Sequence, residues 1–152
     1  MDIDVQVYNV NNDIDYDEVF FEEIAHSIIK KFGKISKSVE ALAISIAFVS
    51  EREIRDINNS LRDKDEETDV ISVGDYSDNL DISTTKEKNV FLGEVIMCYN
   101  YIEAVAVQNK VNSKCEILNV YIHGILHLLG FKHSEEMFDL QDNVLEKFCN
   151  KK

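Results

Sequence analysis

The sequence predicts an α+β fold, a mixed β-sheet of about four strands packed by about five helices. Strand-like apolar segments dominate the first two-thirds of the chain, and helical periodicities dominate the last third. The 152 residues are 45% hydrophobic, with no proline and five glycines. Such a chain can bury a sizeable core without disulfides or metals, so a single domain spanning residues 1–152 is expected.

Four segments are predicted as strands. Asp2–Asn9 alternates polar and apolar residues, which is typical of a half-buried strand. Ala41–Val49 is mostly apolar, Asp69–Val73 is a short apolar run, and Val90–Met97 completes the set. The polar segment Asp75–Asn89 is predicted to be an exposed loop.

Five segments are predicted as helices. The first has apolar residues at helical spacing and ends at Gly33, while Ser50 and Ser134 stand where N-caps of later helices are expected. The predicted helices are Asp15–Phe32, Glu51–Leu61, Tyr99–Asn109, Ser113–Leu129 and Ser134–Phe148. The fourth is almost wholly apolar, so it is expected to be a central buried helix.

The charge balance limits the classes of partner. The chain carries 16 Lys and Arg against 29 Asp and Glu, a net charge of −13, whereas nucleic-acid binders usually present a basic field. This argues against non-specific binding to DNA, but a local basic patch stays possible. Arg52, Arg55 and Arg62, the three arginines, fall within eleven positions. Arg52 and Arg55 are expected to pair with neighbouring acids on their helix.

The compartment is inferred from what the sequence lacks. No apolar run approaches the roughly 18–20 residues of a membrane span, and the acidic N-terminus lacks the pattern of a signal peptide. We therefore expect no membrane partner and a cytoplasmic location.

The cysteines Cys98, Cys115 and Cys149 are an odd number with long spacings and no CxxC pair. Reduced thiols are accordingly predicted.

The most informative segment has the pattern HxxxHxxGxxH. His123 and His127 are four residues apart, so a helix places both imidazoles on one face. Gly130 stands where a helix end favours a left-handed residue, and the chain can then return His133 to the same ion. Together with Asn119, the two helical histidines form a polar stripe on an apolar helix, and burying such groups without partners is costly.

Three imidazoles with an open fourth position are typical of a catalytic zinc site, where bound water loses a proton near pH 7. The alternative is three histidines spaced by chance. The spacing matches that of metzincin peptidases, but their general base is a Glu beside the first histidine, and here that residue is Gly124. Peptide hydrolysis is therefore not expected. We interpret the small residue as leaving space for a bulky group such as a phosphate and its sugar.

Three blocks of the sequence match known motifs in order and spacing. The run HGILHLLGFKH at 123–133 is similar to the signature HGxLHLxGYDH, residues 57–72 are similar to LNxxYRxKDxxTDVLSFP, and LGEVI at 92–96 is similar to LGDIxI. These motifs belong to the YbeY endoribonuclease family, which the chain therefore resembles. The resemblance implies a metal-dependent endoribonuclease that acts on single-stranded RNA, in maturation of the small-subunit ribosomal RNA 3′ end and in ribosome quality control. It also implies a mixed sheet packed by helices, with the metal in a cleft.

The resemblance assigns roles to residues outside the histidine run. Arg62 matches the family's functional arginine and is expected to bind phosphate and stabilise developing charge, with Lys64 as a weaker RNA contact. Asp69 could orient a neighbour or cap a strand, and Glu94 could be a base or a structural partner. Lys132 departs from the family's usual Asp and adds a positive charge near the metal.

The sequence thus predicts one Zn²⁺ per chain, although imidazole ligands also suit other divalent transition metals. Its expected partners are single-stranded RNA, ribosomal RNA and the small ribosomal subunit. One alternative is a zinc hydrolase acting on another bond. The other is a non-catalytic ribosome-assembly factor with a structural metal.

Overall fold

The computed structural model describes residues 1–8, 18–76 and 81–149. Within these ranges it confirms the α+β class and the four-stranded mixed sheet packed by five helices. The elements in chain order are β1 Asp2–Tyr8, α1 Glu18–Phe32, β2 Lys34–Ile35, β3 Ala41–Val49, α2 Glu51–Arg62, β4 Val70–Val73, β5 Asp81–Ile82, β6 Asn89–Cys98, α3 Tyr99–Gln108, α4 Ser113–Leu128 and α5 Glu135–Phe148. The predicted strand end at Asn9 and helix start at Asp15 lie outside the described residues.

The main sheet has the strand order β1-β3-β6-β4. β1, β3 and β6 are parallel, and the short β4 is antiparallel to β6 and forms the edge. β3 lies between two strands, and its residues Leu42, Ile44, Ile46 and Phe48 face the larger core, which explains why they are apolar. Ser45 of β3 is in register with Glu94 of β6 and donates a hydrogen bond of 3.1 Å to its carboxylate. The Glu94 side chain therefore has a hydrogen-bond partner within the sheet.

A second sheet of two very short strands was not predicted. β2 and β5 pair in parallel, with Lys34 opposite Asp81 and Ile35 opposite Ile82. The prediction that Asp75–Asn89 is only an exposed loop was therefore wrong at Asp81–Ile82. Two-residue strands carry no periodicity, and this pair forms because Ile82 is buried against the core.

Helices cover the main sheet unequally. One face carries the larger core, to which α1, α3, α4 and α5 contribute, with Phe21, Tyr121 and Ile125 among its fully buried side chains. α2 packs on the other face, where Ile54 contacts a small cluster containing Ile71 of β4. The α4 helix is buried along most of its length, as predicted. None of the helices in the described ranges is long and apolar enough to cross a bilayer.

The helix N-caps follow the predicted residues. The Ser50 hydroxyl accepts a hydrogen bond from the Glu53 amide, and the Glu53 carboxylate accepts one from the Ser50 amide, which completes a capping box. Ser134 caps α5 by accepting from the Met137 amide at 3.2 Å. The predicted bounds of the elements after residue 40, apart from β5, agree with the observed ones to within one residue.

The cysteine prediction was wrong. Cys115 and Cys149 form a disulfide across 34 residues, and only Cys98, which is buried, is free. Because α4 and α5 run antiparallel as a helical hairpin, the first turn of α4 meets the residue that ends α5. A test for closely spaced cysteine pairs cannot detect a contact made by tertiary packing.

Gly124 brings α4 into close contact with the sheet. A Cβ at this position would lie 2.8 Å and 3.3 Å from the two methyl groups of Val95 and 3.2 Å from the Ser72 hydroxyl. The Ser72 hydroxyl also donates to the Gly124 carbonyl at 3.0 Å. The interpretation that Gly124 leaves space for substrate was therefore wrong, because this position faces β4 and β6 instead of the cleft.

Gly124→Ala should destabilise the protein by about 1–2 kcal/mol, because the strain of overpacking exceeds the helix propensity gained. Urea unfolding followed by circular dichroism would measure the change. Ala104→Gly on the exposed face of α3 is the matched control. Ala104→Gly should lower the free energy of unfolding by about 1 kcal/mol through helix propensity alone. This control would show that a helical position without the close contacts of Gly124 prefers alanine. A Gly124→Ala variant more stable than wild type would contradict the packing role.

Candidate metal centre

The end of α4 shapes the histidine run. Gly130 has φ 97°, the left-handed conformation predicted for it. The Phe131 amide donates to the Leu126 carbonyl at 3.1 Å and the Gly130 amide to that of His127 at 3.0 Å, which is the Schellman pattern. This turn reverses the chain directly after the helix and returns His133 to the face that carries the other two histidines.

The three imidazoles converge on one point. The Nε2 atom of His127 lies 3.0 Å from that of His123 and 3.0 Å from that of His133, and the remaining pair is 3.2 Å apart. Three nitrogens around one tetrahedral zinc ion stand about 3.3 Å apart. The side chains therefore form a group that could hold a metal ion.

Hydrogen bonds set which ring nitrogen faces the centre. His123 Nδ1 donates to Gln141 Oε1 at 2.9 Å, and His127 Nδ1 donates to the Phe131 carbonyl at 2.9 Å. Both acceptors are oxygens without a proton, so each Nδ1 must carry the hydrogen. In a neutral imidazole the other nitrogen, Nε2, is then left with a free lone pair. That is the state in which a histidine binds a metal.

Burial keeps two of the imidazoles neutral. Burial is the largest cause that lowers the pKa of His123, and it also lowers the pKa of His127 to about 4, with the neighbouring His123 adding to the effect. The positive charge of Arg62 contributes in the same direction at both rings. At neutral pH both histidines are therefore unprotonated at Nε2, so metal binding does not have to displace a proton there.

The histidines lie in a cleft with a volume of about 650 Å³. The structure places Arg62, Lys64, Asp69 and Lys132 in this cleft beside them, and Glu94 is not among the lining residues. Its walls come from the loop after α2, from β4 and from the end of α4. The lining residues are Arg62, Lys64, Thr68, Asp69, Val70, Ser72, His123, His127, Phe131, Lys132 and His133.

The position of Arg62 is fixed by the end of α2. Asp63 adopts a left-handed conformation with φ 56°, which turns the chain into the cleft loop. Asn58, only 2% exposed, donates from its amide nitrogen to the Glu66 carbonyl at 3.0 Å and so ties that loop to the helix. Arg55 pairs with Asp65 of the same loop at 2.8 Å, not with an acid of its own helix as predicted.

Sequence reasoning missed Gln141. It is 8% exposed on α5, and its amide nitrogen donates to Asn119 Oδ1 at 2.8 Å, which turns its oxygen towards His123. A polar residue at a core-facing position of an amphipathic helix was the available signal. Its partners lie 18 and 22 residues away along the chain, so only the fold pairs them. The remaining histidine, His26, lies exposed on α1, away from this cluster.

Comparison with known proteins gives consistent matches over most of the chain. The family model described as Endoribonuclease YbeY matches residues 6–149. An Endoribonuclease YbeY of Sulfurihydrogenibium is 35% identical over 139 residues, covering 86% of this chain and 88% of that protein. The protein of the same name from Mycoplasmopsis synoviae is 32% identical, covering 79% and 76% respectively.

A solved structure shares the fold. The solution structure of a Thermotoga maritima protein superposes with a TM-score of 0.57 and 25% sequence identity. The match covers 95% of this chain and 87% of that protein. The overall fold of this chain is therefore also found in a solved protein.

Gln141→Leu should weaken Zn²⁺ binding about 10- to 100-fold, because the hydrogen bond that orients His123 is lost. Competition with a chromogenic chelator measures the affinity. Asn143→Leu, exposed on the same helix, is the control and should bind as wild type. An unchanged zinc affinity in Gln141→Leu would contradict the orienting role of Gln141.

His127→Ala should lose most of the bound metal while the protein remains folded, because it removes one of the three imidazoles.

Proposed function

The chain belongs to the endoribonuclease YbeY family, and we propose that it cuts single-stranded RNA with the aid of a metal ion held by His123, His127 and His133. The observation that carries the proposal is the convergence of three imidazole Nε2 atoms in a cleft that also holds the cationic side chains Arg62, Lys64 and Lys132. This combination suits cleavage of a phosphodiester. The cationic groups can bind its negative charge and can stabilise the additional negative charge that develops in the transition state.

The proposed metal is one Zn²⁺ per chain. An all-imidazole ligand set with a free position suits catalytic zinc, although other divalent transition metals accept the same ligands. When bound, such an ion supplies a Lewis acid and a source of hydroxide at neutral pH. The protein contributes the orientation of the imidazoles through Gln141 and the Phe131 carbonyl.

We propose that Arg62 is the catalytic phosphate ligand. Its guanidinium lines the cleft, and its charge acts on both His123 and His127, so it lies near the reacting centre. A guanidinium can donate two parallel hydrogen bonds to a phosphate and offset charge that develops in the transition state. Lys64 is proposed to contact RNA in the same cleft.

The charges around the cleft differ in sign from the net charge of −13, which would otherwise disfavour RNA binding. Arg62, Lys64 and Lys132 line the cleft, and Asp69 is the one carboxylate among its lining residues in the described part of the chain. An acidic protein can therefore offer a basic site of a few contacts. Binding through so few contacts should depend weakly on salt, since each neutralised phosphate adds about 0.7 to the slope for a single strand.

Ribosomal RNA is the proposed substrate. Family membership supports action at the small-subunit ribosomal RNA 3′ end, with the small ribosomal subunit as partner and the cytoplasm as the location. The proposal includes no DNA or membrane partner.

Arg62→Glu should abolish RNA cleavage, because it removes the phosphate ligand and places a carboxylate in the cleft. Its zinc content should equal that of wild type, since arginine does not bind zinc at neutral pH. Arg52→Glu is the control, because Arg52 lies exposed on the same helix and does not line the cleft. Cleavage rates and elemental analysis of the three proteins, measured together, provide the test. An Arg62→Glu enzyme as active as wild type would remove Arg62 from the site.

The substrate class can be tested directly. The protein should cut single-stranded RNA, should leave casein intact, and should lose activity on addition of a chelator and regain it with Zn²⁺. Peptide hydrolysis is not expected because Gly124 replaces the general base and faces the sheet. Casein cleavage by pure protein would support a zinc hydrolase of another class, and zinc binding without RNA cleavage would support a non-catalytic assembly factor.

A further inference from the structure

An exposed aromatic ring stands beside the three histidines. Phe138 lies on α5, one turn after its N-cap, and is 47% exposed. Its ring is close to parallel with two imidazoles, with centroids 6.2 Å from His123 at an interplanar angle of 17° and 5.9 Å from His133 at 28°. The ring therefore lies directly beside the histidine cluster, next to the residues that line the cleft.

Packing does not account for this phenylalanine. α5 is held to the rest of the protein by residues that are buried, including Met137 at 0% exposure and Gln141, which bonds to α4. The ring of Phe138 instead lies beside His123 of α4 and His133, and it leaves about half of its surface to solvent. Covering this exposed part with another flat ring would remove apolar surface from water, which is favourable.

The location indicates which ligand. A phosphate bound between the imidazoles and Arg62 would carry a nucleoside on either side, and the ring of Phe138 lies about one nucleobase away from two of those imidazoles. Every nucleobase presents a flat π-face, and aromatic side chains next to single strands bind bases by stacking without strong preference for sequence. The lysines of the cleft hold the backbone, but they offer no surface to a base.

We propose that Phe138 is a stacking platform for the nucleobase next to the scissile phosphate. The proposal rests on the RNA-cleaving function proposed above and adds a base-binding subsite to it. The subsite takes a base of any identity, and it requires the base to be unpaired, because a base within a duplex presents no free face. Phe138 would thus contribute to the selection of single strands.

The test combines protein variants with abasic RNA. A single-stranded RNA oligomer is compared with versions that each lack one base near the cleavage position, using zinc-loaded wild type and Phe138→Leu. KM comes from initial cleavage rates, and stopped-flow fluorescence anisotropy before cleavage gives Kd. In wild type, loss of the stacked base should raise Kd and KM about fivefold or more. Phe138→Leu should bind the intact RNA with the same raised Kd and KM that wild type shows for the abasic RNA. In this variant, removal of the base should raise Kd and KM no further.

Three controls separate stacking from other causes. Phe138→Trp should bind at least as tightly as wild type, because its ring is larger. Phe91→Leu alters a ring that is 59% exposed on β6, away from the cleft, and should leave binding unchanged. Zinc content should be equal in all variants, which excludes damage to the metal centre.

The outcomes distinguish this proposal from the proposed function. Equal Kd in Phe138→Leu and wild type, or additive losses from the variant and the missing base, would overturn the stacking role while leaving RNA cleavage intact. If wild type cuts no RNA but binds it with the coupled losses described, the catalytic function fails and the subsite stands.

Discussion

Two histidines on a buried, apolar helix impose the constraint around which this site is organised. Each imidazole has two polar nitrogens, and on a mostly buried helix a nitrogen left without a partner would be costly. The Nδ1 atoms find oxygen acceptors in Gln141 and Phe131. The Nε2 atoms face one another, an arrangement of three electron-rich nitrogens that a cation stabilises. The second hydrogen bond exists only because the Schellman turn brings the Phe131 carbonyl back over His127.

The cleft combines parts from both faces of the sheet. α2 lies on one face and α4 on the other, and they meet at the short edge strand β4. The loop that follows Arg62 is tied back to Asn58, and the helix that carries His123 and His127 is held to the sheet by the close packing at Gly124. The two halves can therefore vary in sequence with some independence, provided β4 keeps its position between them.

Most of the fold could be predicted because its signals are local. The helical spacing of His123 and His127, the glycine turn and the caps at Ser50 and Ser134 each depend on residues within a few positions of one another. What was missed depends on contacts between distant segments: the β2–β5 pair, the link between Gln141 and His123, and the Cys115–Cys149 disulfide. A single sequence carries no local pattern for such contacts.

The position of β4 has a consequence for solubility. An edge strand leaves one row of backbone N–H and C=O groups unpaired, and such rows invite strands from other molecules and lead to aggregation. Here the strand has four residues, and the neighbouring cleft carries Arg62, Lys64 and Lys132. Val70 and Ser72 of β4 line the same cleft as these cations, so a strand from another chain that paired there would crowd charges that need water. The charges that suit the cleft for a polyanion thus also oppose pairing at this edge of the sheet.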